Sequence, residues 1–332
     1  MPIEGSQFLD PDILRQLPNM ELIAKRLVES VFVGYHRSPY FGFSVEFADH
    51  REYVHGDDLR TVDWKVWARK NRYYVKRFEM ENELKATIIL DTSRSMDYGT
   101  GKLTKLQYGS YLAATLAYLL MQQNDMAGLV TFDDVIHHYI PPRGSRAHMR
   151  AILKALGSVK PGPATNVARV CHDLAETIKT RGMIILISDM LDGNGQTRGS
   201  APTAGQARAD GNPPPAPTGG NDNGSGTGEA VHALRHFQHR KHDVIVFHVL
   251  DDSELDLPFD ELSNFRDLES GQRIAVDPAT FRKVYRQRVQ SFVDGLRQEC
   301  VQTNIDYKLV RTSMPIEAVL TEYLHFRARR SR

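Results

Sequence analysis

The chain has 332 residues, 41% hydrophobic, 25% charged and 9% aromatic, which is enough apolar material for at least one full-sized core and too much for a chain disordered throughout. Its 42 Lys and Arg face 41 Asp and Glu, a formal net charge of +1, so no field of one sign exists to drive nonspecific binding to nucleic acid or acidic lipid.

The N-terminus, Met1-Pro2-Ile3-Glu4-Gly5, lacks a basic region followed by an apolar run; no signal peptide is expected, and cytoplasmic residence follows by default. Asp10-Pro11 reads as an N-cap with proline at the first helical position, and Leu22, Ile23, Leu27, Val28 and Val31 give a second helix. Phe41, Phe43, Val45 and Phe47 alternate like a half-buried strand, and Tyr73 to Val75 with Arg77 and Glu79 form another. Residues 1–84 are therefore expected to make a smaller α+β region, and residues 85–332 the main domain.

In that domain, short branched apolar runs mark parallel strands covered on both faces: Ala86 to Leu90, Ala127 to Phe132, Met183 to Ile187 and Val244 to Leu250. Helical stripes lie between them, with Leu112, Leu116, Leu119 and Leu120, then Ile152, Leu153 and Leu156, then Val167, Val170, Leu174 and Ile178. A helix around Phe281 to Val301, a strand around Asp306 to Val310 and a helix from Pro315 towards Arg327 complete the pattern. Alternation of this kind predicts an α/β fold, a doubly wound and mainly parallel sheet with helices on both faces.

The charge-free stretch from Leu106 to Asn124 raises the question of a membrane span, but its strongly apolar part, Leu112 to Met121, is only about half of the roughly 20 residues a span needs. A buried core helix is expected instead. From Gly193 to Gly228 there is no Val, Ile, Leu, Met, Phe, Tyr or Trp. Such a stretch cannot offset its ordering entropy by apolar burial, so it reads as a disordered insertion within the domain. The two cysteines, Cys171 and Cys300, match no metal or redox spacing and read as buried or free thiols.

The first apolar strand runs into Asp91-Thr92-Ser93-Arg94-Ser95, and in open α/β sheets the carboxyl ends of strands are where ligands bind. A carboxylate followed by two hydroxyls at alternate positions of a turning loop can aim three oxygens at one point, which suits a hard cation such as Mg²⁺. The same residue types also make helix N-caps and turns. Thr165 just before a helix, and Asp189 at the end of another strand, add two oxygen donors in places where they can join the first three.

Asp91-x-Ser93-x-Ser95, Thr165 and Asp189 together resemble the metal-ion-dependent adhesion site of von Willebrand factor type A domains, in chain order and in spacing. Gly56-Asp57-Asp58-Leu59-Arg60-Thr61-Val62-Asp63-Trp64, with Ala68-Arg69 and Val75-Lys76, resembles the lead-in of the bacterial family called domain of unknown function 58. The resemblance implies a type A-like, Rossmann-like fold. It also implies Mg²⁺, replaceable by Mn²⁺ or Ca²⁺, held directly by Ser93, Ser95 and Thr165, with Asp91 and Asp189 acting largely through water. One coordination position would stay open to an Asp or Glu of a protein partner. It further implies work beside a MoxR-type AAA+ ATPase, as an adaptor or co-chaperone in assembly or maturation of other proteins. Met190 stands where many such domains have glycine. The segment from Gly56 to Arg69 can also be an ion-paired corner that docks the N-terminal region.

His232, His236 and His239 share one helical face at spacings that zinc sites use. With Ala230, Leu234 and Phe237 opposite and Arg235, Arg240 and Lys241 nearby, the face reads as a solvated basic helix. No role is assigned to His137 and His138. Met96 stands where a P-loop needs its first glycine, and no Gly-x-Ser-x-Gly elbow occurs, so the chain is expected to be no enzyme. The alternative is a Mg²⁺-dependent phosphohydrolase using Asp91, although Ser93 occupies the place of its second aspartate. No nucleic-acid partner and no membrane span are expected.

Overall fold

A computed structural model describes residues 20–35, 50–52, 67, 72–76, 84–162, 166–191, 226–259, 263–266, 273–276 and 278–330. The chain divides into two compact units, residues 1–31 with 84–332 and residues 32–83. Helix α1 (Met20–Tyr35) thus falls for the most part with the larger unit, not with the smaller region in which the sequence places it. Its buried stripe is Ile23, Ala24, Leu27, Val28 and Val31, while Leu22 is exposed. The smaller unit contains an antiparallel ribbon of β1 (His50–Glu52) and β2 (Tyr74–Lys76). The alternating run from Phe41 to Phe47, the Asp10-Pro11 cap and all but Trp67 of the lead-in from Gly56 to Arg69 lie outside the described residues.

The larger unit is built on six strands: β3 (Lys85–Asp91), β4 (Met126–Phe132), β5 (Ile136–Arg143), β6 (Met183–Ser188), β7 (Asp243–Leu250) and, after the ribbon of β8 (Ser263–Arg266) and β9 (Arg273–Val276), β10 (Asp306–Arg311). Their spatial order is β10-β7-β6-β3-β4-β5. All neighbours are parallel except β4 and β5. The expected α/β, doubly wound, mainly parallel sheet is therefore present. Every residue of β6 is buried, which is why it reads as an unbroken apolar run, whereas edge strand β5 alternates.

Helices α2 (Lys105–Gln122), α3 (Arg146–Gly157), α4 (Val167–Thr177), α5 (Gly226–His239), α6 (Asp252–Asp256), α7 (Pro278–Gln302) and α8 (Ile316–Arg330) connect the strands. One face of the sheet, with Ile89, Val130, Ile184, Leu186 and Val246, packs with Leu174 of α4, Phe237 of α5 and Leu296 of α7. Cys171 and Cys300 are buried in the same cluster and form no disulfide, and burial pushes the Cys300 thiol up to about 12. The opposite face carries α2 and α8, the latter through the Tyr323 hydroxyl on Met183 Sδ. Helix α2 takes in, after Lys105, most of the charge-free segment and is capped by Thr104 with Gln107 in a capping box. Among the described residues no helix is long and apolar enough to cross a membrane. Of the expected insertion, residues 193–225 lie outside the described residues, and Gly226 to Gly228 already belong to α5.

Gly109 sets how closely α2 approaches the sheet, because a Cβ there would lie 3.0 Å from Leu90 Cδ1 and 3.3 Å from Ile187 Cγ2. Both contacts are side-chain ends that can give slightly. Gly109→Ala should therefore hold the urea midpoint near wild type, since about 1 kcal/mol of helix propensity offsets the crowding, whereas Gly109→Val should lose about 1–3 kcal/mol by overpacking.

Candidate metal centre

The strand order reverses at β3, which has β4 on one side and β6 on the other. The crevice outside the carboxyl ends of β3 and β6 is thus the topological switch point, where open α/β sheets bind ligands. Asp91 closes β3 and Asp189 follows β6, and both are fully buried. Asp91 Oδ1 accepts the Ser93 backbone N–H at 2.9 Å, and Oδ2 accepts the Ser188 hydroxyl at 2.7 Å. Ser188 Oγ in turn accepts the Met190 N–H at 2.9 Å.

Ser93 stands at the N-cap of a 3₁₀ turn, Arg94–Asp97, yet its side chain makes no capping hydrogen bond. Its Oγ lies instead 2.9 Å from Ser95 Oγ. The two hydroxyls of the motif are therefore brought together, as the spacing predicts, and the capping role open to Ser93 is not taken. Thr165 lies outside the described residues. The residues that bracket its stretch are tied to the strand ends: Gly162 N–H donates to Thr92 O at 2.7 Å and Asn166 N–H to Asp133 O at 3.4 Å. Gly162 must be glycine for this approach, because a Cβ would come within 1.8 Å of Asp133 Oδ2.

Asp133 is itself held by the Val135 N–H at 3.0 Å and by His137 Nε2 at 2.6 Å. His138 Nδ1 meets Thr131 Oγ1 at 2.8 Å. The two histidines left without a role thus fasten β5 to the end of β4.

Lys105, in the first turn of α2, was not legible as a site residue. Its ammonium is wholly buried, 2.8 Å from Asp189 Oδ2 and 2.7 Å from Glu254 Oε1 of α6. Burial opposes its charge, but Asp189 and Glu254 hold the ammonium above its ordinary pKa. Burial raises the Glu254 carboxyl against the pull of Lys105. The other oxygen of Asp189 accepts the Leu191 N–H at 3.1 Å. Behind it, His248 Nε2 meets Asp189 O at 2.9 Å and Nδ1 meets the Tyr307 hydroxyl at 2.6 Å. A carbonyl can only accept, so Nε2 carries the proton and Nδ1 accepts from Tyr307. Burial pulls His248 down to about 4, so the ring is neutral.

A further buried carboxylate, Asp251 after β7, clamps the same loop. It accepts from Thr100 Oγ1 at 2.5 Å, Ser253 Oγ at 2.6 Å and Thr312 Oγ1 at 2.9 Å. The Tyr98 hydroxyl meets Ser253 Oγ at 2.7 Å.

The chemistry of this donor set fits a hard cation. Two hydroxyls converge beside the buried Asp91 carboxylate, while Lys105 serves Asp189 and Glu254. Among the described residues no three His, Cys, Asp or Glu side chains form a metal-holding group, so a site here relies on hydroxyl donors. Burial, then the nearby Asp189 charge, pushes the Asp91 carboxyl up to about 7 against the pull of Ser188 and Ser93. A raised folded-state pKa means that ionised Asp91 opposes folding. The cost is absent below the ordinary value of 3.8, grows with pH and is complete above about 7. In chelator at pH 8, Asp91→Asn, whose Oδ1 can accept the Ser93 N–H and whose Nδ2 can donate to Ser188 Oγ in place of accepting from it, should melt above wild type; the gap should narrow at pH 5.5, and Mg²⁺ should raise the melting temperature of wild type alone.

Comparison with known proteins gives relatives without assigned activity. The uncharacterized proteins Rv1480 of Mycobacterium tuberculosis and Mb1516 of Mycobacterium bovis are each 28% identical over 185 residues, covering 55% of this chain and 58% of theirs. The chain thus matches less than two thirds of the length of these relatives. Among solved structures, BatB from Bacteroides thetaiotaomicron is similar at 16% identity, TM-score 0.45, over 74% of this chain and 98% of its own. An aerotolerance-related membrane protein from Bacteroides fragilis is similar at 16% identity, TM-score 0.40, over 71% and 96%. The PilB minor pilin from Streptococcus sanguinis is similar at 12% identity, TM-score 0.40, over 76% and 63%. Residues 49–208, just under half of the chain and a stretch that takes in Asp91, Ser93, Ser95, Thr165 and Asp189, match the family described as Protein of unknown function DUF58.

Proposed function

We propose that the chain is a metal-dependent protein-binding module. The observation that carries this reading is the meeting of Ser93 and Ser95 hydroxyls, 2.9 Å apart, beside buried Asp91 at the switch point of the sheet. Ser93, Ser95 and Thr165 would hold Mg²⁺, or Mn²⁺ or Ca²⁺ in its place, with Asp91 and Asp189 acting largely through water. When bound, the cation supplies a positive charge only partly neutralised by the protein, which attracts an external carboxylate.

The chain's own residues do the rest. Lys105 and the Leu191 N–H engage both oxygens of Asp189, which favours a water-mediated role for that carboxylate. Asp251 fixes Thr100, and Ser253 fixes Tyr98, so the hydroxyl loop is set before any partner arrives. The partner is a protein that presents an Asp or Glu, and a cytoplasmic MoxR-type AAA+ ATPase is the class implied by the sequence resemblance. The chain would then act as its adaptor or co-chaperone. Both oxygens of Asp91 already accept hydrogen bonds, which supports binding over attack by Asp91 on a phosphoryl group.

Retention of partners from native extract, measured with Mg²⁺, with chelator and with Thr165→Ala, tests the reading. Partner retention should fall sharply in both metal-free samples, while the Thr165→Ala melting temperature stays near that of wild type in chelator because the sheet rests on apolar strands. Equal retention in all three samples would reject it, and phosphatase turnover lost in Asp91→Ala would favour the enzymatic alternative.

A further inference from the structure

Lys105 reaches the end of the sheet from the first turn of α2, and its placement is fixed at both ends. Thr104 and Gln107 form the capping box that starts the helix, and the Lys105 backbone N–H donates to Tyr98 O at 2.8 Å. The side chain runs inward with no exposed surface, and its ammonium ends 2.8 Å from Asp189 Oδ2 and 2.7 Å from Glu254 Oε1. Glu254 is held in turn, since its Oε2 accepts the Asp251 N–H at 2.8 Å. The other oxygen of Asp189 accepts the Leu191 N–H at 3.1 Å, across a turn that puts Met190 in the left-handed region at φ 56°, where a residue with a Cβ is uncommon.

Stability alone does not require an ammonium here. Buried ion pairs are often replaced by well-packed apolar side chains of similar volume without loss, and α2 already buries Leu112, Leu116, Leu119 and Leu120. What the ammonium does alter is Asp189. This carboxylate is the last of the five motif residues, and it follows Ser188, whose hydroxyl donates to Asp91 Oδ2 at 2.7 Å. A positive charge in contact with Asp189 already supplies what a cation at the switch point would draw from it. The ammonium also repels that cation, because charges several ångströms apart in a partly buried site interact strongly.

We propose that Lys105 is a positioning residue for the switch-point site, one that holds Asp189 out of direct ligation and keeps the affinity for a divalent cation low. The inference rests on the metal-dependent reading above and names the group that tunes it. With Asp189 committed to the ammonium, an ion on the Ser93 and Ser95 hydroxyls is short of carboxylate ligands, and an Asp or Glu from a partner makes up the deficit. Without Lys105, Asp189 itself would close the site and hold the cation more tightly.

The full chain is titrated with Mg²⁺ alone by calorimetry, and melting temperature is read in chelator and in saturating Mg²⁺, for wild type, Lys105→Met and Glu254→Gln. Lys105→Met leaves Asp189 and Glu254 without their counter-ion, so it should melt below wild type in chelator. It should nevertheless bind Mg²⁺ at least about tenfold more tightly and gain more melting temperature from it than wild type does. A merely structural lysine predicts the opposite sign, since a loosened site binds less. Glu254→Gln leaves the ammonium to Asp189 alone and should weaken Mg²⁺ binding. Because Glu254 is half-buried and Gln can still accept the Asp251 N–H, this variant keeps the fold, which circular dichroism checks, and it tests the proposal even if Lys105→Met does not fold. Affinity unchanged or weaker in Lys105→Met, or unchanged in Glu254→Gln, with Mg²⁺ bound by wild type, would overturn the role of Lys105 and leave the metal reading standing. No Mg²⁺ binding by any of the three proteins would overturn both.

Discussion

The fully buried carboxylates Asp91 and Asp189 and the half-buried Glu254 lie at the end of the sheet with the buried ammonium of Lys105. Removing charges from water costs several kcal/mol per ion unless each is paired or hydrogen-bonded. Lys105 meets this need for Asp189 and Glu254, and Asp91 accepts from the Ser93 N–H and the Ser188 hydroxyl. Its carboxylate lies beside the two motif hydroxyls, which meet 2.9 Å apart. Oxygen donors so grouped suit a hard cation, and this is the physical reason for proposing a metal centre here.

The same network makes the site rigid. Lys105 belongs to α2, Asp189 follows β6 and Glu254 belongs to α6, so one ammonium joins three elements. Asp251 adds β7 and, through Thr312, the end of β10, and it reaches Thr100 in the loop that follows the hydroxyls. Losing one partner of such a buried pair costs about 3–5 kcal/mol. The loop is thereby held by bonds that do not themselves need the cation, as a binding site set in advance requires.

Much of this was legible in the sequence, for physical reasons. Strands covered on both faces must be apolar throughout, so β3, β4, β6 and β7 announced themselves, and strand ends in an α/β sheet locate the ligand edge without coordinates. The positions of Asp91, Ser93, Ser95 and Asp189 followed from that rule. Lys105 did not, because a lysine after a helix cap looks like any exposed first-turn residue, and only the fold brings Asp189 and Glu254 to it from 84 and 149 residues away. Ser188 was adjacent to a recognised residue, and the Ser-Asp pair at the strand end was the available signal. The histidine face of α5 is solvated as its periodicity implies, with His232 and His239 exposed. Periodicity on one helix says nothing of what stands across the seam, and only the fold brings His172 of α4 beside His236.

A crystal grown with Mg²⁺ tests the central claim most directly. The account predicts electron density for an ion at the switch point, with the Ser93 and Ser95 hydroxyls as ligands at about 2.0–2.1 Å and with Lys105 still on Asp189. Hydroxyls bonded only to each other and to protein groups, with no ion beside them at saturating Mg²⁺, would contradict it.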